Sequence, residues 1–333
     1  MYKTYSIQKV FLFLFIFAMF SCKKQNETGE GAANNNGAAN QLIASTVTPS
    51  ATNPQIASYN NPHYVYLDTR VVPKNKLFVF LPGTSGFPSV YTLIAKKAAN
   101  LGYHSIGLMY PNGSEIYIAS GSNPDNTSFG RCRQEIFEGT DQSAALSINP
   151  DNSIKGRLAK LLEYLKSQNP NQNWGQYLIN GQVDWSKIII AGHSQGGGHA
   201  LYISKKVAVH KAIAFASIDW NAFLGESASW ISEAGATPVS KIYSFNSVND
   251  QIFSYVNVVT QLNDLGLPGS PVSIDNNNSP YQNSHRLITS ATPAISILVP
   301  DHNLICLDQY IPKTPSGLVI PSIDNAWTYL LNN

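Results

Sequence analysis

The run Ile188-Ile189-Ile190-Ala191-Gly192-His193-Ser194-Gln195-Gly196-Gly197 carries an apolar strand straight into the pattern G-x-S-x-G. A helix-like segment, residues 198–204, follows it. A serine hydroxyl is a weak nucleophile and has to be lifted into the open beside a base. A sharp strand-to-helix turn does this, and crowding around the serine calls for glycine two residues away on each side. The helix that starts there aims backbone N–H groups at any oxyanion forming nearby. Ser194 is therefore the candidate nucleophile, and the N–H of Gln195 a candidate oxyanion donor. A plain turn whose serine merely caps a helix would not call for glycines on both sides.

A serine nucleophile needs a histidine base, and the histidine needs an orienting carboxylate. On a strand–helix scaffold the order along the chain is Ser, then Asp or Glu, then His, each on a loop after a strand. The histidines after Ser194 are His199, His210, His285 and His302. His199 lies on the helix of the turn, and His210 ends a helical stretch. His302 follows the apolar run 295–299, read as the last strand, and is the expected base; His285 is the alternative. Asp250 follows a strand-like run at 241–245 and is the expected acid, with Asp219, in Ser217-Ile218-Asp219-Trp220, as the alternative. Asp301 adjoins His302 in sequence and is poorly placed to orient its ring.

Strand-like and helix-like segments alternate through the rest of the chain, which predicts a largely parallel sheet covered by helices. Strands are expected at 76–81, 104–109, 188–193, 212–217, 241–245 and 295–299, and helices at 91–101, 153–167 and 322–331. The first of these strands runs into Pro82-Gly83-Thr84-Ser85-Gly86, a glycine-rich loop where a second oxyanion donor belongs, the N–H of Thr84 or Ser85. Residues 112–140 are long for a crossover and hold Tyr117, Phe129, Arg131, Arg133, Glu135 and Glu138. They read equally as a partial lid over the site or as surface loop with a buried ion pair.

Residues 1–21 read as an export signal of the lipoprotein type. Lys3 and Lys9 precede an apolar stretch at 10–20, too short for the roughly 20 residues of a membrane span. Ser21-Cys22 follows, so Cys22 is the expected site of lipid attachment and a membrane the expected partner of the N-terminus. Residues 22–58 are polar and low in complexity and read as a flexible tether, leaving 59–333 as one catalytic domain. The expected location is the outside of a bacterial membrane, on the periplasmic or cell-surface side. The chain has 22 basic and 20 acidic residues. Removal of the signal takes two lysines and leaves the charges balanced, against nucleic-acid binding. In an oxidising compartment Cys132 and Cys306 could pair as a disulfide. No metal-ligand spacing occurs and no cofactor is called for.

With the serine turn, the upstream glycine loop and the Asp-then-His order, the chain resembles the α/β-hydrolase superfamily of serine esterases. It is similar, more narrowly, to a group of exported bacterial α/β hydrolases. The shared pieces are Leu81-Pro82-Gly83-Thr84, Gly102-Tyr103-His104, Cys132-Arg133-Gln134-Glu135 and the Gly-His-Ser-Gln-Gly-Gly-Gly-His run from Gly192 to His199. The resemblance implies cleavage of a small-molecule or polymer-borne carboxyl ester through an acyl-enzyme. A peptidase or amidase on the same scaffold, and a surface lipoprotein that binds without catalysis, are the alternatives.

Overall fold

The computed structural model describes residues 41–333. The export signal, Cys22 and the first part of the tether lie outside the described residues. A nine-stranded sheet forms the centre. Its strands are β1 (Leu42–Val47), β2 (His63–Asp68), β3 (Leu77–Leu81), β4 (His104–Gly107), β5 (Ile188–His193), β6 (Lys211–Phe215), β7 (Ile242–Ser247), β8 (Val272–Ser273) and β9 (Arg286–Thr289). They lie in the order β1-β2-β4-β3-β5-β6-β7-β9-β8. Every pairing from β4 onward is parallel, while β2 runs antiparallel to both β1 and β4. This is the α/β-hydrolase arrangement, a mostly parallel central sheet flanked by helices.

The central strands are apolar on both faces because helices cover both. Along β3, Leu77, Val79 and Leu81 enter one core while Phe78 and Phe80 enter the other. On β5, Ile188 and Ile190 divide from Ile189 and Ala191 in the same way. The first core packs against α3 (Ser128–Glu138), α4 (Ile154–Gln168), α5 (Gln195–Lys206) and α6 (Tyr255–Asp264), which follow α1 (Thr92–Asn100) and α2 (Glu115–Ser120) in the chain. The second packs against α1 and α8 (Pro321–Asn332), which comes after a single turn, α7 (Pro300–Asn303). Helix α4 starts where Ser153 accepts a hydrogen bond from the N–H of Gly156, and buries Leu158, Leu161, Leu162 and Leu165 at helical spacing.

Three expectations from the sequence need correction. The tether does not extend to residue 58: β1 pairs with β2 over six residues, Ile56 is buried, and Arg157 donates to the carbonyls of Ser58 and Tyr59. The run from Leu42 to Val47 is itself mostly apolar, but it is short and follows a polar, low-complexity stretch that masks it when the whole segment is read by composition. Residues 295–299 are not a strand: Leu298 has φ +58°, and Ile297 and Leu298 are exposed. The strand beside β7 is β9 instead. Finally, Cys132 and Cys306 are free thiols, buried in the two cores on opposite faces of the sheet.

Candidate active site

Strand β5 delivers Ser194 at φ +52° and ψ −117°, a strained conformation for a residue with a side chain, as a nucleophile elbow requires. Its N–H donates to the carbonyl of Phe215 at the end of β6. The turn closes only on glycine. A methyl group on Gly192 would lie 2.3 Å from the carbonyl carbon of Gly196, and one on Gly196 would lie 2.0 Å from the carbonyl oxygen of Leu81.

The loop after β3 lies against this turn. The N–H of Ser85 donates to the carbonyl of Asn112, so it is spent within the fold and Ser85 drops out as an oxyanion donor. Thr84 remains. Its Oγ1 donates to Oε1 of Gln195 across 2.8 Å, which ties the two candidate donor residues together. Three residues that sequence reading missed hold the loop in place. The buried amide of Asn112 donates to the carbonyls of Gly83 and Gly86, and the hydroxyl of Tyr110 donates to the carbonyl of Pro82. The Tyr91 hydroxyl accepts from the N–H of Gly83. No local pattern marks these residues, since each acts on a segment distant in sequence.

His302 lies on α7, with its Nδ1 2.8 Å from Oδ2 of Asp250 and both side chains nearly sealed from solvent. The other oxygen of Asp250 accepts the N–H groups of Ile252 and Phe253. Burial pushes the Asp250 carboxyl up, but the His302 ring and these N–H groups outweigh it and hold the carboxyl below its ordinary value. Phe253 packs its edge on His302, and Gln251 bridges to the backbone N–H of Asp301.

His302 also packs on His193, the residue before Ser194, with ring centroids 4.7 Å apart. Nε2 of His193 lies 3.0 Å from the carbonyl of His302, and its Nδ1 lies 3.0 Å from the Tyr91 hydroxyl. A carbonyl only accepts, so Nε2 carries the proton, Nδ1 accepts, and Tyr91 donates to it. One directed chain thus runs from Gly83 through Tyr91 and His193 to the backbone of His302. Ser194 Oγ and His302 share no hydrogen bond among the described residues; such bonds commonly tighten only when substrate binds.

The two rival assignments fall elsewhere. Asp219 is locked in a fully buried, two-pronged ion pair with Arg133, at 2.6 and 3.0 Å, and also accepts from the indole N–H of Trp230. His285 stacks on Tyr243, and its Nδ1 bonds the carbonyl of Ile242, at the start of β7. Asp250 follows the other end of that strand, roughly 17 Å away at about 3.3 Å per residue. The partner of Asp219 is itself part of the site. Nη1 of Arg133 donates to the carbonyl of Gln195 at 2.6 Å, and a side chain on Gly198 would strike Nη2. Burial opposes the guanidinium charge, but the Asp219 carboxylate more than restores it, leaving Arg133 above its ordinary pKa.

The segment 112–140 folds as α2 and α3 rather than as plain loop. Besides Arg133, it supplies Glu135, whose carboxylate accepts the N–H groups of Gln142, Ser143 and Ile148. Trp220 lines a cavity of about 430 Å³ with Asn126, Glu226 and Asp264. Among the described residues, no cluster of three or more His, Cys, Asp or Glu side chains is arranged to hold a metal.

Burial keeps several histidines neutral. His63 and His193 are held down to about 3, by burial first and then by Arg157 and by His302 respectively. His199 is held well below its ordinary value by burial and by Arg133. Each takes up a proton in the unfolded chain below about pH 6.5, but in the fold His63 and His193 do so only near pH 3, and His199 only well below the ordinary range. The unfolded state therefore binds more protons, and stability falls as pH drops through that window, at about 1.4 kcal/mol per pH unit per histidine. Thermal melts should show a steady Tm from about pH 7 to 8 and a steep decline below about pH 6. A flat Tm down to about pH 4 would contradict this.

No family profile and no curated protein sequence matches the chain. Solved structures do. A Klebsiella pneumoniae subsp. pneumoniae protein bearing the name dienelactone hydrolase aligns at 13% identity and TM-score 0.44, over 88% of this chain and 98% of that one. MGS-M1, an α/β hydrolase from a Medee basin deep-sea metagenome library, aligns at 14% identity and TM-score 0.35, over 69% of this chain and 80% of that one. Neither likeness bears on the chemistry, which the residues of the site themselves must decide.

Proposed function

We propose that the protein is a serine hydrolase that cleaves carboxyl esters through an acyl-enzyme. The observation that carries this is the Asp250–His302 contact, 2.8 Å, packed against the elbow that presents Ser194. Nε2 of His302 takes the proton of Ser194 as Oγ bonds to the ester carbonyl carbon. The carbonyl π pair moves to oxygen, where the N–H groups of Gln195 and Thr84 receive it. The carbon–alkoxide bond then breaks, and His302 passes its proton to the departing alcohol. Water, deprotonated by the same nitrogen, attacks the acyl-enzyme and releases acid and Ser194. Asp250, held ionised, fixes the histidine proton on Nδ1 and supports the imidazolium.

Location enters the same reading. The basic start, short apolar stretch and Ser21-Cys22 support export and lipid anchoring at Cys22, so that the catalytic domain works outside the inner membrane on ester-bearing molecules there. Paired assays on a p-nitrophenyl ester and the matched p-nitroanilide test the reaction class. Turnover of the ester with far slower turnover of the anilide is expected. Preference for the anilide would make the protein an amidase.

A further inference from the structure

Tyr117 lies on α2, in the long segment whose purpose the sequence leaves open. Its ring is part-exposed and packs edge-on against Phe129, at 5.9 Å between centroids. Its hydroxyl points inward and is sealed from solvent, yet it has no hydrogen-bond partner in the protein. A buried hydroxyl left without a partner is costly, so native structures retain few of them without a reason. What the hydroxyl faces supplies the reason. Phe129, on which the ring packs, lies one turn before Arg133 on α3, and Arg133 holds the carbonyl of Gln195 next to Ser194. The hydroxyl therefore faces Arg133 and Ser194, near both but outside hydrogen-bond geometry with either. Burial pushes its pKa up to about 12, with Arg133 and Ser194 pulling the other way, so it remains a protonated donor at working pH.

Resting on the serine-hydrolase reading, we infer that Tyr117 is a catalytic residue, whose hydroxyl donates a third hydrogen bond to the oxyanion formed on Ser194. The geometry follows from connectivity. A group beside Oγ of Ser194 is also beside the oxygens of any carbon bonded to that Oγ. The free enzyme holds a donor with nothing to donate to, and the tetrahedral intermediate supplies the acceptor. This is a preorganised group whose cost is carried in the ground state and relieved in the transition state. Arg133 has a double part. It anchors the carbonyl of Gln195 and sets a fixed positive charge behind the phenol, which strengthens the phenol as a donor.

The test is Tyr117→Phe in the full chain, assayed on a p-nitrophenyl ester and with a fluorophosphonate probe. Loss of an oxyanion donor is expected to lower kcat by about 100-fold with KM nearly unchanged, and to slow labelling of Ser194 by a similar factor. The melting temperature should hold or rise, because a buried hydroxyl without a protein partner is removed. A packing residue would behave otherwise, with activity and Tm falling together. A kcat within about three-fold of wild type, or a loss of activity matched by a lower Tm, would overturn the inference. Tyr117→3,5-difluorotyrosine gives a second readout. Its more acidic phenol should add an alkaline limb to the kcat profile, and a profile superimposable on wild type would contradict the role. If wild-type Ser194 labels normally while both variants behave as wild type, the role of Tyr117 alone fails. If wild-type Ser194 does not label at all, the hydrolase reading fails with it.

Discussion

His302→Ala should lower kcat by about a million-fold, the size of effect seen when the base of a serine triad is removed. Asp250→Asn should lower it by about ten-thousand-fold, with the fold intact. The two follow from one contact. Nδ1 of His302 must carry a proton if it is to donate to Oδ2 of Asp250, which leaves Nε2 free to take the proton of Ser194. An asparagine amide turned toward Nδ1 donates instead, favouring the other tautomer and filling the working nitrogen. His285→Ala should stay within about two-fold of wild type, because that ring stacks on Tyr243 at the far end of β7. Ester turnover by the three variants, each with a circular-dichroism melt, checks this. A dead His285→Ala beside an active His302→Ala would reverse the assignment.

Arg133→Met should be the most damaging of the non-catalytic changes. It removes a guanidinium that is completely buried and leaves Asp219 with only the indole of Trp230 as a side-chain donor. Breaking a buried pair from one side leaves an uncompensated charge and typically costs about 3–5 kcal/mol. That is a large fraction of a domain's total stability. Arg133→Met also releases the carbonyl of Gln195, so surviving folded protein should be slower as well as weaker. The double change Arg133→Met with Asp219→Leu should recover much of the stability, because no charge is left buried, but not the lost rate. Urea unfolding of the two variants measures this. A single variant as stable as wild type would mean that Asp219 finds another partner or a proton at little cost.

The parts of the site that the sequence makes visible are those whose chemistry is local. The elbow is complete within ten residues, and every glycine in it answers a contact that the fold imposes. The strands β3, β5 and β6 are visible because burial on both faces makes them almost continuously apolar. His302 is a mixed case. The strand expected before it at 295–299 does not form, yet the loop order after β7 and β9 still sets it against Asp250. An apolar run reports hydrophobicity, and here Ile297 and Leu298 spend theirs on the surface.

What remained hidden is non-local. Arg133 and Asp219 are 86 residues apart and join through two elements with no shared periodicity. Asn112, Tyr110 and Tyr91 act on the backbone of Pro82, Gly83 and Gly86, which accept or donate whatever their own sequence. The pairing of β1 is hidden for the same reason. The cysteines mislead because two thiols near interesting residues look like partners until the sheet is known to stand between them. The Cys-Arg-x-Glu segment was visible as a pattern, but its meaning depends on the contact of Arg133 with the elbow and of Glu135 with residues 142–148.

Every step proposed for this protein depends on an activated Ser194. Fluorophosphonate labelling of the detergent-solubilised full chain, beside its Ser194→Ala variant, tests it most directly, because the probe reacts well only with a serine activated by its base and needs no knowledge of the substrate. An activated Ser194 should give fast, stoichiometric labelling of the wild type, mapped to the peptide containing Ser194 and absent from the variant. A well-folded wild type that does not label, or labelling that persists in Ser194→Ala, would contradict it.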